Sequence, residues 1–330
     1  MKRFSAALLL FLLPPALAAV SASQAAETAP PVRTDAIILL DLTRNGGELV
    51  AVGERGMILR TGDGRTWSAA PPVTTRTLSA VAFSPDGTGV AVGHGGTLLR
   101  SADGGRSWAA VTAPRADGEA DGEAGGEALL GVTALTDGRF LAYGAFGQFL
   151  ASEDQGRTWT RRPVMGPEFD RHIYKVIARS PGDLLLVGES GTLAESADGG
   201  ATWAAAPSPY QGSFFGALAL PDGAALIFGM RGHVFRSAGP GREWEAVPLG
   251  TGAAFNNGTV LDGGRVVLVG NAGVAAFSDD GGRSFRTVKV AQGVSLAQAA
   301  ELAPGVLLAA GDVGILSLVE PPRGGRNPGQ

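Results

Sequence analysis

Ser101-Ala102-Asp103-Gly104-Gly105-Arg106-Ser107-Trp108 is the stretch whose recurrence decides the fold. Its pattern, S-x-D-x-G-x-[ST]-[WF], returns at 152–159 and 196–203, and in a Phe-ended form at 278–285. Two worn copies complete the series: 61–67 is one residue short, and 237–244 has no aspartate. The closing aromatics Trp67, Trp108, Trp159, Trp203, Trp244 and Phe285 step by 41, 51, 44, 41 and 41 residues. A sustained period of that size marks a solenoid, a propeller or an array.

Each position in the pattern has a turn-making task. The aspartates Asp63, Asp103, Asp154, Asp198 and Asp280 can accept hydrogen bonds from nearby backbone N–H groups and close the turn locally. Glycine supplies positive φ, Ser or Thr adds a second local bond, and the aromatic is expected to bury its ring against the next unit. The pattern is similar to the Asp box of bacterial-neuraminidase-type (BNR) repeats. That resemblance implies a structural role for the five aspartates.

Upstream of each box stands an apolar strand ending in G-x-x-G, at 53–56, 93–96, 144–147, 188–191, 229–232 and 270–273. A seventh copy at 311–314 has no box after it. Glycine-bounded pairs between apolar runs mark tight hairpins. Before each stands a further short strand, commonly ended by a polar Gly turn such as Ser84-Pro85-Asp86-Gly87 or Asp262-Gly263-Gly264. The unit is strand, turn, strand, G-x-x-G, strand, box, strand, which is a four-stranded antiparallel blade. The expected fold is therefore all-β, a seven-bladed β-propeller occupying residues 27–320 as one domain. Counting boxes alone would give six blades. The last blade lacks a fourth strand, and an open ring leaves an unpaired edge. Residues 28–34 are expected to pair beside 315–319 and close the ring, with Pro30 and Pro31 suited to an outer edge. Residues 321–330 read as a disordered tail.

Residues 1–26 read as an export signal: Lys2 and Arg3, an apolar core from Ala6 to Leu13, then small residues before a cut after Ala22, Ala25 or Ala26. Pro14 and Pro15 interrupt the apolar run, which is short for a membrane span. The expected location is periplasmic or otherwise exported and soluble. The formal charge is −4, and loss of the signal removes two positive charges and no acidic ones. An acidic exported chain is a poor nucleic-acid binder. The chain has no cysteine, which excludes disulfides, thiolate metal sites and cysteine nucleophiles. One insertion, 116–128, breaks the period. Its Asp117, Glu119, Asp121 and Gly122 echo a calcium loop, but Ala128 stands where the bidentate Glu belongs. It reads as a solvated acidic loop, and no metal or cofactor is indicated.

In a propeller blade the second-to-third hairpins share a face with the inter-blade connections. The tips then project Glu54, Arg55, His94, Phe146, Glu189, Arg231, Asn271 and Asp312 together. The connections add Arg76, Arg171, His172, Tyr210, Phe214, Phe215, Asn256 and Asn257. From these, Arg55, Arg76, Arg171, His172, Tyr210, Phe214, Phe215 and Arg231 are the candidate partner-binding set, because Arg and aromatics most often dominate binding energy. A sialidase-type site would need an arginine triad, a Tyr–Glu pair and an acid/base Asp. Tyr174, Glu189, Arg55, Arg171 and Arg231 would have to supply most of it. No Arg-Ile-Pro segment stands near the start, and the blade count differs from that family's. Other glycosidases need two facing carboxylates, for which Glu54, Glu189 and Asp312 are the tip candidates. His94, His172 and His233 have no close-spaced pair to anchor a metal.

Seven blades, G-x-x-G hairpins and S-x-D-G-G-x-[ST]-W boxes together resemble the photosystem II assembly and stability factor family, in particular its relatives in non-photosynthetic bacteria. The resemblance runs over residues 35–319. It is carried by Val52-Gly-Glu-Arg-Gly-Met-Ile-Leu59, Asp170-Arg-His-Ile-Tyr174, Val187-Gly-Glu-Ser-Gly191 and Pro209-Tyr-Gln-Gly-Ser-Phe-Phe-Gly216. It implies a non-enzymatic scaffold or assembly factor for a membrane protein complex, with a transporter of the resistance–nodulation–division (RND) class as the implied client. The competing reading is a glycan-active or glycan-binding, sialidase-like propeller.

Overall fold

The computed structural model describes residues 32–114, 126–166 and 168–319. Residues 1–26, read above as an export signal, most of the acidic insertion, and residues 321–330, read as a tail, lie outside the described residues. Within them the chain forms seven antiparallel sheets, six of four strands and a seventh of three. Blade 1 shows the unit: Leu39–Asn45, Glu48–Gly53, Ile58–Thr61 and Ser68–Ala69, hydrogen-bonded in that order. The protein is a seven-bladed all-β propeller, and the count follows the G-x-x-G tips rather than the boxes.

The second strand of each blade is buried on both faces, as the patterns iBBBBB for Glu48–Gly53 and BBBBB for Val266–Gly270 show. Runs such as Val-Val-Leu-Val suit that position because both sides meet another blade. The core is divided into seven clusters, one in each gap between neighbours. Trp108 of blade 2 packs with Val50 and Ile58 of blade 1, and Trp203 of blade 4 meets Phe149 of blade 3 edge-to-face at 5.7 Å. The box aromatics therefore pack on the preceding blade, not the next one. The reason lies in the turn, which curls back over the third strand and lays the ring on the face turned toward the earlier blade.

The boxes also bolt the ring polar-side. Arg100 Nε of blade 2 donates to the carbonyl of Gln155 in the next blade's box at 2.7 Å. Arg236 Nε of blade 5 does the same to Gly281 at 2.9 Å.

The first glycine of each tip is required by close approach. A Cβ on Gly53 would lie 2.1 Å from the Ile38 carbonyl oxygen, and that oxygen accepts from the Glu54 N–H at 3.0 Å. The same bond recurs down to Asp312 N–H on Ser295 O.

The innermost strands Leu39–Asn45, Leu78–Phe83, Leu129–Ala134, Ile173–Ser180, Phe214–Ala219, Phe255–Val260 and Leu296–Ala303 surround an axial channel. Six of them shift register between their first and third residues, and the blade 3 strand slips at the same place. A bulge of this kind re-aims side chains, so consecutive residues such as Tyr174 and Lys175 both line the channel.

Val32–Thr34 precede blade 1 without strand structure. The Val32 N–H donates to the Trp67 carbonyl at 3.1 Å, and Val32 and Ile315 both pack against the cluster between blades 7 and 1. Residues 28–31, the rest of the expected closing strand, lie outside the described residues.

Candidate functional site

Strand pairing sets the start of each innermost strand beside a tip: Leu39 opposes Gly53 and Ile173 opposes Gly188. The inter-blade connections and the tips thus share one end of the ring. The boxes, at the other end of each third strand, lie on the opposite side.

In five tips the third residue is a non-glycine in the left-handed region: Arg55 (φ 55°), Phe146 (51°), Ser190 (51°), Arg231 (56°) and Ala272 (58°). This conformation costs about 1–2 kcal/mol for an L-residue, and the tight turn back into the third strand imposes it. The consequence is a ring of side chains held away from the blade core. Arg55 is 84% exposed with Glu54 as its nearest carboxylate at 4.0 Å. Phe146 is 56% exposed, and exposed Arg231 has no hydrogen bond or ion pair to a described residue.

The tip carboxylates are differently employed. Glu54 accepts from the Ile38 N–H at 3.2 Å, Glu189 from the His172 N–H at 3.1 Å and Asp312 from the Ser295 N–H at 3.0 Å. Each satisfies the first backbone donor ahead of an innermost strand, so these three carboxylates share a capping task. Tyr174, proposed beside Glu189 as a nucleophile pair, has its phenol raised by burial and then by the Glu189 charge.

The structure sorts the sequence candidates by exposure and contact. Arg55, Arg171 and Arg231 are exposed, with Arg171 making one bond to the Ser190 carbonyl at 3.3 Å. Arg76 is partly buried and held by the Gly95 carbonyl at 2.7 Å.

The aromatics form two assemblies. Phe146, His172, Tyr174 and Phe215 make a continuous edge-to-face chain, with ring centroids 4.9, 6.1 and 5.3 Å apart, running from the blade 3 tip to the channel. Tyr210 packs on His233 with the rings tilted and their centroids 4.2 Å apart, and meets Phe214 and Phe235. Phe214 is fully buried (0%), so it is a core residue and is corrected out of the contact set. The alternation of an innermost strand explains the split: Phe214 points into the blade, and the bulge turns Phe215 to the channel.

His172 Nδ1 accepts from the Phe146 N–H at 3.2 Å. The same nitrogen lies 3.8 Å from a Glu189 carboxylate oxygen. The ring fixes the Phe146 tip.

Two charged residues escaped the tip-and-loop reading, Asp41 and Lys175, both lining the channel. The signal was present: each is a lone charge inside an apolar strand, Ile-Leu-Leu-Asp-Leu and Ile-Tyr-Lys-Val-Ile. Among the described residues no cluster of three or more His, Asp or Glu side chains is arranged to hold a metal ion, and no helix is long and apolar enough to cross a membrane.

No protein-family model matches the chain, and no curated protein matches it. Solved structures do. YCF48 bound to a D1 peptide is 22% identical with a TM-score of 0.67, over 87% of this chain and 92% of that one. YCF48 from Cyanidioschyzon merolae is 19% identical with a TM-score of 0.67, over 86% and 95%. Virginiamycin B lyase from Staphylococcus aureus is 13% identical with a TM-score of 0.72, over 88% and 97%. At these identities the likeness is one of fold, and it spans both a peptide-bound propeller and a lyase.

Proposed function

We propose that the chain is an exported, non-enzymatic propeller that holds a membrane protein complex through its tip face, acting as an assembly or accessory factor. The observation that carries this reading is the division of labour on that face. Arg55 and Arg231 are free of strong partners, while the carboxylates Glu54, Glu189 and Asp312 are occupied with backbone N–H groups. Arginines and exposed aromatics on a rigid ring make a contact surface; a glycosidase would need a free facing carboxylate pair. The likeness to a propeller solved with a D1 peptide supports a protein segment as ligand. A transporter of the RND class is the client we assign, with the bacterial relatives of the photosystem II assembly factors as the corresponding branch.

Crosslinking capture from envelope membranes tests the reading. Arg55→Glu with Arg231→Glu should weaken capture while leaving the melting temperature nearly unchanged. If that double variant captures as the parent does, and Glu189→Gln removes a measurable glycosidase activity, the enzyme reading replaces the scaffold.

A further inference from the structure

The channel holds two opposite charges that the tip-face reading does not use. Asp41 comes from blade 1 and Lys175 from blade 4, close to diametrically placed in a ring of seven. They form no ion pair with each other, although the ammonium acts on the carboxyl across the gap. Asp41 Oδ1 and Oδ2 accept from the N–H groups of Leu42 and Val81, both at 2.9 Å. The Lys175 ammonium has no hydrogen bond to any described residue. Burial pushes the Asp41 carboxyl up, and Lys175, the two N–H groups and the Gln298 amide act the other way. By residue Asp41 is only partly buried, because what surface it has faces the channel inside the ring.

Two further polar groups on the channel wall have unmet capacity. The Ser79 hydroxyl, on the blade beside Asp41, is buried without a partner. Asn257 uses its Oδ1 on the Gly258 N–H at 3.0 Å and leaves its amide N–H₂ unengaged. Buried polar atoms are ordinarily satisfied, and separated charges in a confined channel are costly unless paired. The Tyr174–Phe215 pair adds an apolar wall. The space is about 760 Å³, within the range of small-ligand sites.

We propose that this channel binds a small zwitterion of the α-amino-acid class, its carboxylate on Lys175 and its ammonium on Asp41, with the side chain against Tyr174 and Phe215. A simple anion would pair only Lys175, and a simple cation only Asp41; a zwitterion pairs both and spans the gap between them. The site shares its Tyr174–Phe215 wall with the aromatic chain that runs to the blade 3 tip, but it uses neither Arg55 nor Arg231.

Calorimetric titration of the parent protein at neutral pH with phenylalanine, glycine, N-acetylphenylalanine and phenylalaninamide tests the site. Phenylalanine should bind saturably, and each derivative, lacking one charge, at least about tenfold more weakly. Lys175→Met and Asp41→Asn should each weaken phenylalanine by about tenfold or more. Three results would each overturn the proposal. They are no saturable binding of either amino acid at millimolar concentration, a derivative binding as tightly as phenylalanine, or unchanged binding by Lys175→Met. If Asp41→Asn fails to fold, the derivative series on the parent and Lys175→Met still decide.

Discussion

Gly314 faces Thr34 so closely that a Cβ on the glycine would lie 1.5 Å from the threonine carbonyl oxygen. The same relation joins the closing glycine of other tips to the connection that follows its own blade: Gly56 to Thr74, Gly191 to Tyr210 and Gly232 to Thr251. In blade 7 that place is taken by the segment preceding blade 1. Thr34 thus stands where a connection out of the last blade would be.

Gly314→Ala should therefore be among the most damaging of the glycine substitutions. It meets a backbone oxygen and holds φ at 81°, and about 2–3 kcal/mol of stability should be lost. Gly293→Ala, at φ 71° with nothing within 4 Å, should cost only about 1 kcal/mol. Urea unfolding of the two variants checks the contrast. Equal losses would mean that Thr34 does not seal the ring.

Asp103 accepts from the Arg106 and Ser107 N–H groups at 3.0 and 2.9 Å and from the Ser107 hydroxyl at 2.6 Å. Burial pushes its carboxyl up, but the bonds from Ser107, Ser101 and Arg106 outweigh this and hold it at about 2. Asp154 stands at about 2 for the same balance of causes. Because the folded value lies below that of the unfolded chain, about 3.9, the stabilisation is present above about pH 4 and is lost as pH falls toward 2. Asp103→Asn should cost about 1 kcal/mol at pH 7 in this largely solvated turn. Its deficit against the parent should shrink steadily on acidification, as followed by urea midpoints between pH 5 and pH 2.

Ala272→Gly should stabilise the protein by about 0.5–1 kcal/mol. The left-handed strain at φ 58° is relieved, against a smaller gain in unfolded-chain entropy. A melting temperature at or below the parent's would show that the tip is not strained.

Phe214→Ala and Phe215→Ala should separate sharply. Phe214 is fully enclosed between blades 4 and 5, so its truncation should cost about 3–5 kcal/mol. Phe215 borders the channel and should cost about 1 kcal/mol, mostly its contact with Tyr174. Chemical denaturation of both variants reads the difference directly.

The local chemistry of this chain was legible from the sequence because it is repeated and short-range. An Asp that bonds N–H groups three and four residues on needs only its own turn, and the G-x-x-G spacing counts the blades. Which side of a blade the box aromatic covers was not legible. That depends on how the turn folds back over a strand, and Trp203 turns out to face Phe149 of the blade before it. Neighbouring residues of like type, Phe214 and Phe215, read as one feature in the sequence. They part company only in the folded innermost strand, which sends one to the core and the other to the channel. Asp41 and Lys175 lie 134 residues apart in the chain, and no spacing rule connects them. Their opposition exists because seven sheets close around an axis, which brings distant strands to face one another across a space that neither builds alone.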